Sequence, residues 1–510
     1  MLLCTVQRGG LVVTDAALSI EAASALYGEG ELDGAEHTCD ELLGSDPTDG
    51  EALNLKGLIA YRRGDHEAAV DWLSKASAAP NARAGFFNNL GELLRQIGDL
   101  ERAEGALAQA IAMEPSNAVA LNNLGLVLLA RGKNSVAMER LNQAAECDAE
   151  YADVRNNLAT AYLAHGDVPA AEQHVRKALS LGPAKAEYHH NLGLVLEDRD
   201  DMDGAIEAYQ QALSLDHRDE ASFENLCALL FEREETNVVS DLCGQLQEMA
   251  PDLAYPYFHA GKAALLSKDQ SAAETALRHY LDRAPDDPLG AELLLASQGA
   301  VAAPTQAGEA FLKNFYRGRA QMWDGFVAGD YHGHDIILER LSQDFGWPTQ
   351  IGSLLDLGCG TGALGEKLRD SVERLDGVDI SPEMVQRAET KAIYDRLQLD
   401  EAGDFLAAVD KPYDIVVAAA ILFHFRDLDE IFAAIAGALV SGGGFVFTVF
   451  KTDTLEPELN VYNLYLHSRD YLERTLPAAG FGEIVVSEHI HEYERKTIPR
   501  YCLAVSCRKL

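Results

Sequence analysis

Residues 88–117 read NNLGELLRQIGDLERAEGALAQAIAMEPSN, and the pattern of this stretch recurs through the first half of the chain. The small residue after Leu in NNLG belongs to a slot that repeats every 34 residues without insertion: Ala23, Gly57, Gly91, Gly125, Ala159, Gly193, Cys227 and Gly261. A second slot lies twelve residues later and holds Ala in every copy except Val239. Small residues let paired helices approach closely, so the period predicts stacked helical hairpins.

The period and the two slots resemble the tetratricopeptide repeat (TPR) family. On that resemblance, eight repeats fill residues 16–287, after a lead-in at 1–15. The family implies an all-α superhelix with a concave groove lined by the first helix of each repeat. The groove would take a protein or peptide partner.

A ladder of asparagines stands two residues before the small slot, one in each of five consecutive repeats: Asn89, Asn123, Asn157, Asn191 and Asn225. It resembles the ladder of the O-GlcNAc transferase repeats, in which such asparagines hold the backbone of an extended peptide. A carboxamide offers both donors and an acceptor, so it can pair with any peptide unit. The alternative is that these side chains bond only within or between repeats. If a peptide binds here, its site centres on repeats three to seven.

The repeat pattern stops after Pro285. Residues 288–308 read as a capping helix and a linker of small residues. Beyond it, over 309–510, short apolar runs alternate with helical patterns, which predicts a parallel α/β sheet wound with helices.

The stretch LLDLGCGTGALG, residues 354–365, follows a predicted strand and opens a predicted helix. Glycines at such a junction let a ligand approach the backbone. Residues 360–365 also satisfy GxGxxG, so dinucleotide binding is an alternative. The carboxylate of Asp379 ends the next strand, 19 residues past Gly360, and suits a ribose in either case.

The whole of LDLGCGTG, with Asp356 two residues before the first glycine, resembles motif I of the class I methyltransferases. The resemblance implies a Rossmann-like domain with a seven-stranded sheet and an antiparallel last strand, and S-adenosylmethionine as cofactor. Asp356 would orient the loop and meet the cofactor's amino group. The implied cofactor residues are Asp356, Gly358, Cys359, Gly360, Thr361, Gly362, Asp379, Ile380, Met384, Asp400, Ala418 and Ala419, with Glu401 and Asp404 as alternatives to Asp400 at the adenine.

His424 occupies the turn that usually faces the substrate, where it is a candidate general base or a structural residue. The segment 310–340 resembles the helical lid of small-molecule-type methyltransferases, with Tyr316, Trp323, Tyr331 and His334 as residues that close over the site. Tyr331 is the second candidate catalytic residue. No third ligand accompanies its neighbouring histidines, so no metal site is predicted.

Charge and composition narrow the partners. The chain has 42 Lys and Arg against 81 Asp and Glu, a net charge of −39, and both halves are acidic. Such a balance disfavours nucleic acid and anionic membranes. The eight cysteines lack zinc-type spacing and suit a reducing, cytoplasmic setting. The uncharged run 431–450 is interrupted by Ser-Gly-Gly-Gly, which predicts a helix, a turn and a strand rather than a membrane span.

Together these features predict an S-adenosylmethionine-dependent methyltransferase whose repeats recruit a protein that is, or delivers, the methyl acceptor. Three alternatives stay open: a transferase for a small molecule or glycan whose repeats serve assembly, a non-catalytic scaffold that keeps the cofactor fold, and an NAD-binding protein. The pattern does not predict the acceptor atom or the oligomeric state.

Overall fold

The structure, a computed structural model, describes residues 19–182, 185–320, 323–329, 331–460, 463–494 and 498–510. The lead-in 1–15 lies outside them. The chain forms two compact units that divide at Leu229 and Leu230. The division falls inside the thirteenth helix, so the last repeats belong to the same unit as the α/β domain.

Sixteen helices form the predicted eight hairpins. They are α1 Ile20–Glu29, α2 Leu32–Ser45, α3 Gly50–Arg62, α4 His66–Ser77, α5 Ala84–Gln96, α6 Leu100–Met113, α7 Ala118–Ala130, α8 Asn134–Cys147, α9 Ala152–Ala164, α10 Val168–Leu181, α11 Ala186–Asp198, α12 Met202–Leu215, α13 Glu220–Glu232, α14 Thr236–Met249, α15 Tyr255–Leu266 and α16 Gln270–Leu281. The TPR-type fold predicted from the period is confirmed.

The small slots have a direct steric cause. A Cβ built on Gly125 would lie 2.5 Å from Cγ of Leu141, on the second helix of the same hairpin. Gly91 faces Leu107 in the same way, and Gly193 faces the ring of Tyr209. Glycine is therefore what allows the two helices to close around a buried leucine or tyrosine.

Short turns join the helices of each hairpin. A glycine with positive φ ends several first helices, as at Gly98 (φ 85°). An aspartate then caps the second helix: the side chain of Asp99 accepts a hydrogen bond from the amide of Arg102. Both features are common forms of helix capping, and they recur with the period of the repeat.

The α/β domain begins after α17 Ala291–Ser297. Its helices are α18 Glu309–Arg317, α19 Trp323–Gly329, α20 Gly333–Phe345, α21 Ala363–Leu368, α22 Pro382–Lys391, α23 Ala402–Ala407, α24 Asp429–Ala438 and α25 Arg469–Ala478. Its strands are β1 Ile351–Leu357, β2 Val372–Asp379, β3 Arg396–Leu399, β4 Tyr413–Ala418, β5 Leu439–Lys451, β6 Glu458–Leu459, β7 Tyr465–His467, β8 Phe481–Glu494 and β9 Ile498–Lys509.

The sheet has the predicted mostly parallel core. The order β3-β2-β1-β4-β5 is parallel, β9 pairs antiparallel with β5, and β8 pairs with β9. Those seven strands match the expected sheet. The short strands β6 and β7 are an addition at the end of β5, because β7 pairs with Phe450 and Lys451.

The uncharged run at 431–450 forms α24 and β5, with Gly442 at φ 77°. Among the described residues, no helix is long and apolar enough to cross a membrane.

The segment between the repeats and the sheet domain is packed rather than loose. Ala291 and Leu295 of α17 pack with Phe258 and Tyr280 of the last repeat. Leu293, on the same helix, packs with buried Phe311 and Tyr465 of the α/β domain.

Residues 304–307, which we call the strap, then lie along the turn that follows β4. The carbonyl of Thr305 accepts from the amide of Arg426 at 2.7 Å, and the amide of Ala307 donates to the carbonyl of His424 at 2.8 Å. The hydroxyl of Tyr465 donates to the carbonyl of Pro304 at 2.8 Å. The expected linker thus contributes backbone hydrogen bonds to the sheet domain.

Candidate functional site: a cleft at the carboxyl ends of the parallel strands

A cleft opens where β1, β2 and β4 end. Ligands of open α/β sheets bind at this edge. The predicted residues that line it are Asp356, Gly358, Cys359, Gly360, Asp379, Ile380, Met384, Asp400, Ala419 and His424. Three predicted cofactor residues do not line it: Thr361, Gly362 and Ala418.

The glycine loop turns sharply between β1 and α21. Gly358, Gly360 and Gly362 all have positive φ, between 55° and 82°, a region that favours glycine. The amides of Gly358 and Cys359 donate to the carbonyl of Val378, which ties the loop to β2. The loop is therefore a fixed rim of the cleft, and Gly362 serves as the N-cap of α21 rather than as a lining residue.

Asp379 ends β2 and faces the loop. Its Oδ2 accepts from the amide of Gly360 at 2.8 Å, and its Oδ1 accepts from the amide of Ser381 at 2.9 Å. Burial raises the pKa of Asp379, while the backbone amides of Ser381 and Gly360 act in the opposite direction. Each carboxylate oxygen keeps a lone pair, so the group is a preorganised acceptor for a pair of hydroxyls.

Asp356, at the end of β1, is 1% exposed. Burial raises its pKa to about 7, and the hydroxyl of Tyr394, which donates to Oδ2 at 2.7 Å, partly opposes this rise. A Cβ at Gly365 or Gly377 would collide with the Tyr394 ring. These glycines thus make the slot that lets Tyr394 reach Asp356.

The adenine end expected from the sequence is walled by Ile380, Met384 and the acidic residues after β3. Asp400 accepts from the side chain of Gln398 at 2.7 Å, and Glu401 caps α23. Both line the cleft, whereas Asp404 does not. Ala418 is fully buried inside the sheet.

Three residues of the predicted lid segment line the cleft beside the glycine loop. Tyr316 of α18, Trp323 of α19 and His334 of α20 all line the cleft. Asp324 accepts from the hydroxyl of buried Thr361 and lies 3.3 Å from Nζ of Lys391. Thr361 therefore holds the lid to the loop.

His424 lines the cleft and is 2% exposed. Its Nε2 lies 2.7 Å from the hydroxyl of Tyr316, while its Nδ1 has no hydrogen-bond partner among the described residues. Burial lowers the pKa of His424 to about 3, with a smaller effect from Arg319. The ring is accordingly neutral at physiological pH.

Tyr331 is buried beside the cleft without lining it. Its hydroxyl donates to the carbonyl of Ala419 at 3.3 Å, which Thr448 also approaches at 2.5 Å. Burial raises the pKa of Tyr331, so the phenol stays protonated. In this arrangement Tyr331 fixes the end of β4. Among the described residues no group of three or more His, Cys, Asp and Glu side chains could hold a metal ion.

The asparagine ladder forms bonds between repeats. The Nδ2 atoms of Asn89, Asn123, Asn157 and Asn191 donate to the Oδ1 atoms of Asn54, Asn88, Asn122 and Asn156, at 2.8–3.0 Å. Asn225 donates to the hydroxyl of Tyr209 at 3.3 Å. Asn191 also donates to the hydroxyl of Thr160 at 3.3 Å. The structure therefore favours the second interpretation of the ladder.

Sequence reasoning missed several residues of the site. Ile421, Phe425 and Leu312 line the cleft, and Tyr394 supports Asp356 from outside it. Apolar wall positions carry no motif. Gly365 and Gly377 leave room for the Tyr394 ring, and two glycines are visible in the sequence. Only the fold shows that both face the same ring.

Comparison with known proteins agrees with this geometry. A family model described as a methyltransferase domain matches residues 354–443. A tetratricopeptide repeat model matches residues 20–83, 88–152 and 156–222.

A ubiquinone biosynthesis O-methyltransferase of Xylella fastidiosa (strain M23) is 30% identical over 178 residues, which span 32% of this chain and 70% of that protein. The protein of the same name from Brucella ovis is 27% identical, and the chain spans 62% of its length. Pseudomonas aeruginosa PilF is a solved structure with 20% identity and a TM-score of 0.37, over 40% of this chain and 93% of that one. The chain belongs to the methyltransferase-domain family and carries that domain behind an N-terminal array of tetratricopeptide repeats.

Proposed function

We propose that the chain is an S-adenosylmethionine-dependent methyltransferase whose repeats recruit a protein that is, or delivers, the methyl acceptor. The carboxylate of Asp379 carries the proposal. It is fixed by the amides of Gly360 and Ser381 at the end of β2, where a ribose can give it both hydroxyls.

Electrostatics favour this cofactor over NAD. Four carboxyl groups line the cleft (Asp356, Asp379, Asp400 and Glu401), and no lysine or arginine does among the described residues. The pyrophosphate of NAD would have to lie at the glycine loop beside buried Asp356, where like charges repel. The sulfonium and ammonium groups of S-adenosylmethionine are cations that the same carboxylates attract.

The bound cofactor would supply a methyl group on a positively charged sulfur. The chain's own residues position the reactants, which is a large part of the acceleration of such a displacement. Asp379 and Asp356 hold the ligand along the ends of β2 and β1. Tyr316, Trp323 and His424 line the cleft. His424 stays neutral there and can pair with a polar group of the acceptor.

A second candidate function is O-methylation of a small aromatic molecule. Rings surround His424: the ring centroid of Phe423 lies 4.8 Å away and that of Tyr316 5.6 Å away. Phe450 stacks at a tilt on Phe423 at 5.0 Å. Flat apolar walls suit a phenol, as does the His424 Nδ1, which has no hydrogen-bond partner within the described ranges. The relatives named above are O-methyltransferases. In this case the repeats would serve assembly.

Cofactor binding is tested by calorimetry of the full chain with S-adenosylhomocysteine and with NAD. We expect the first to bind and the second not to. Asp379→Ala should weaken S-adenosylhomocysteine on the order of a hundredfold, because two hydrogen bonds to a charged group are lost. Asp370→Ala, which removes an exposed carboxylate, is the matched control. NAD binding with no affinity for S-adenosylhomocysteine would contradict the proposal.

The acceptor is tested with methyl-labelled cofactor and cell lysate, separated into macromolecules and small molecules. Label in a protein, absent with Asp379→Ala, supports a protein acceptor methylated at this site. Label confined to the small-molecule fraction would reject a protein acceptor and favour the second candidate. Cofactor binding without any transfer would instead favour a scaffold.

A further inference from the structure

Thr361 of the glycine loop uses its hydroxyl outside the cleft. The residue stands between Gly360 and Gly362 and is fully buried, yet it does not line the cleft. Its hydroxyl donates instead to the carboxylate of Asp324 in α19. A hydrogen bond to an ionised acceptor is about twice as strong as one between neutral groups. The loop that forms the rim of the cleft is therefore bonded to a helix that precedes the sheet.

Asp324 is held from a second side by Lys391 of α22. The Nζ atom of Lys391 lies 3.3 Å from Oδ1 of Asp324 and 2.8 Å from Oε2 of Glu366. The Lys391 side chain is 17% exposed, so water and salt screen this pair only in part. Two more exposed ion pairs join the same segment to α22 and α21: Arg317 with Glu383, and Asp335 with Lys367. Exposed pairs contribute little, so we expect the contacts of Asp324 to hold the segment most firmly.

Trp323, the neighbour of Asp324 in α19, is the residue that these bonds place at the cleft. It lines the cleft, and a Cβ built on Gly360 would lie 3.4 Å from its Nε1 atom. The indole thus lies against the same loop to which Asp324 is bonded. The amide of Gly360 in turn donates to Asp379. One short stretch of loop therefore connects the carboxylate proposed for the ribose with the indole that lines the cleft.

We propose that Thr361 is a positioning residue: it holds Trp323 at the cleft through Asp324, and the bond between Thr361 and Asp324 breaks before the cofactor leaves. This role rests on the proposed function and adds how the site retains its ligand. The bond belongs to the arrangement in which the indole lies against the loop, so its loss should speed dissociation more than it changes association. Thr361 thus acts on the cofactor without touching it.

The test measures how fast S-adenosylhomocysteine leaves the full chain, which is loaded with radiolabelled ligand and chased with an excess of unlabelled ligand. Thr361→Val keeps the shape of the side chain and removes the hydroxyl, so it should raise the dissociation rate about five- to thirtyfold. Thr361→Ser keeps the hydroxyl and should stay within about threefold of the wild type. The association rate should change less than about threefold in both variants.

A double-mutant cycle separates this contact from the general packing of α19. Asp324→Ala removes the acceptor from the helix side. Adding Thr361→Val to it should change the dissociation rate less than about twofold further, because the bond is already absent. Glu366→Gln, which removes the other carboxylate beside Lys391, is the matched control and should leave the rate within about twofold of the wild type.

The indole itself reports the arrangement. With Trp72→Phe and Trp347→Phe, Trp323 is the single tryptophan left of three. Its fluorescence emission should shift to longer wavelength with Thr361→Val, because the indole becomes more accessible to water, and should not shift with Thr361→Ser.

Circular dichroism and the melting temperature show whether each variant is folded. If Thr361→Val does not fold, Asp324→Ala decides alone, and a wild-type dissociation rate in that variant would overturn the inference. Equal dissociation rates for Thr361→Val and Thr361→Ser would overturn it too, and so would additive effects of Asp324→Ala and Thr361→Val. A wild-type chain that binds no S-adenosylhomocysteine would instead reject the proposed function.

Discussion

At the scale of single residues, Asp356 matters most, because its surroundings determine the pH above which its carboxyl group is ionised. Burial raises its pKa to about 7, and the hydrogen bond from the Tyr394 hydroxyl opposes that rise. An ammonium group pairs only with the ionised carboxylate. Protonation on the acid side of neutral pH therefore removes the partner that the cofactor's amino group would meet.

We predict that the affinity for S-adenosylhomocysteine rises with pH through about 7, by up to about tenfold per pH unit below the pKa of Asp356. Asp356→Asn should bind weakly with no such rise. Tyr394→Phe removes the hydrogen bond that lowers the pKa, so the midpoint should move to higher pH. Calorimetry between pH 5.5 and 8.5 measures this, and identical midpoints for wild type and Tyr394→Phe would contradict it.

At the scale of elements, the hairpins depend on the contact between their two helices. Gly125 lies in α7 against Leu141, with no room for a Cβ. Gly125→Ala should therefore lower the free energy of unfolding of the array by about 1–3 kcal/mol, because the helices must separate. Gly105→Ala in α6 is the matched control, since its Cβ would meet nothing within 4 Å. It should be neutral or stabilising by up to about 1 kcal/mol. Urea unfolding followed by circular dichroism compares the two, and equal effects would refute the steric account.

The hydrogen bonds between asparagines of neighbouring repeats, which we call rungs, give a second prediction at the scale of helices. Asn157 is 7% exposed and donates to buried Asn122. Asn157→Ala leaves the Asn122 oxygen without this donor and should cost about 1–3 kcal/mol. Asn89→Ala, at a half-buried rung, should cost less because water can replace the lost bond. Urea midpoints of the two variants decide the order. A larger loss with Asn89→Ala would show that burial does not set the strength of the rungs.

At the scale of the whole molecule, the strap ties the end of the array to the turn that carries His424. Ala307→Pro removes the amide that donates to the His424 carbonyl. We predict that the free energy of unfolding falls by about 1–3 kcal/mol. Methyl transfer should also be slower, because the turn that carries His424 loses its hydrogen bond to the strap. Ala302→Pro, at an exposed position before the strap, should leave both unchanged. Melting temperature and labelled-methyl transfer report the two effects, and a harmless Ala307→Pro would make the strap incidental.

A feature of this molecule could be predicted from the sequence where the contact that shapes the structure also restricts which residues can occur at fixed positions. Gly125 is small because Leu141 needs its space, and that condition recurs every 34 residues. Gly360 and Asp379 belong to one motif and bond to each other. The support of Asp356 by Tyr394 depends on residues that only the fold brings together. The strap was expected to be a linker because small residues alone do not show what they pack against.

Helix α17 and the strap also determine where in the chain this protein can be recombined with other proteins. A whole repeat can be gained or lost upstream at little cost, because each repeat packs only against its neighbours. In α17, Leu295 packs against the last repeat and Leu293 packs against the sheet domain. A recombination joint placed between residues 291 and 307 would deprive one side of its buried contacts. New arrays can therefore be grafted onto this catalytic domain only if the joint lies before α17 and the last repeat is inherited with it.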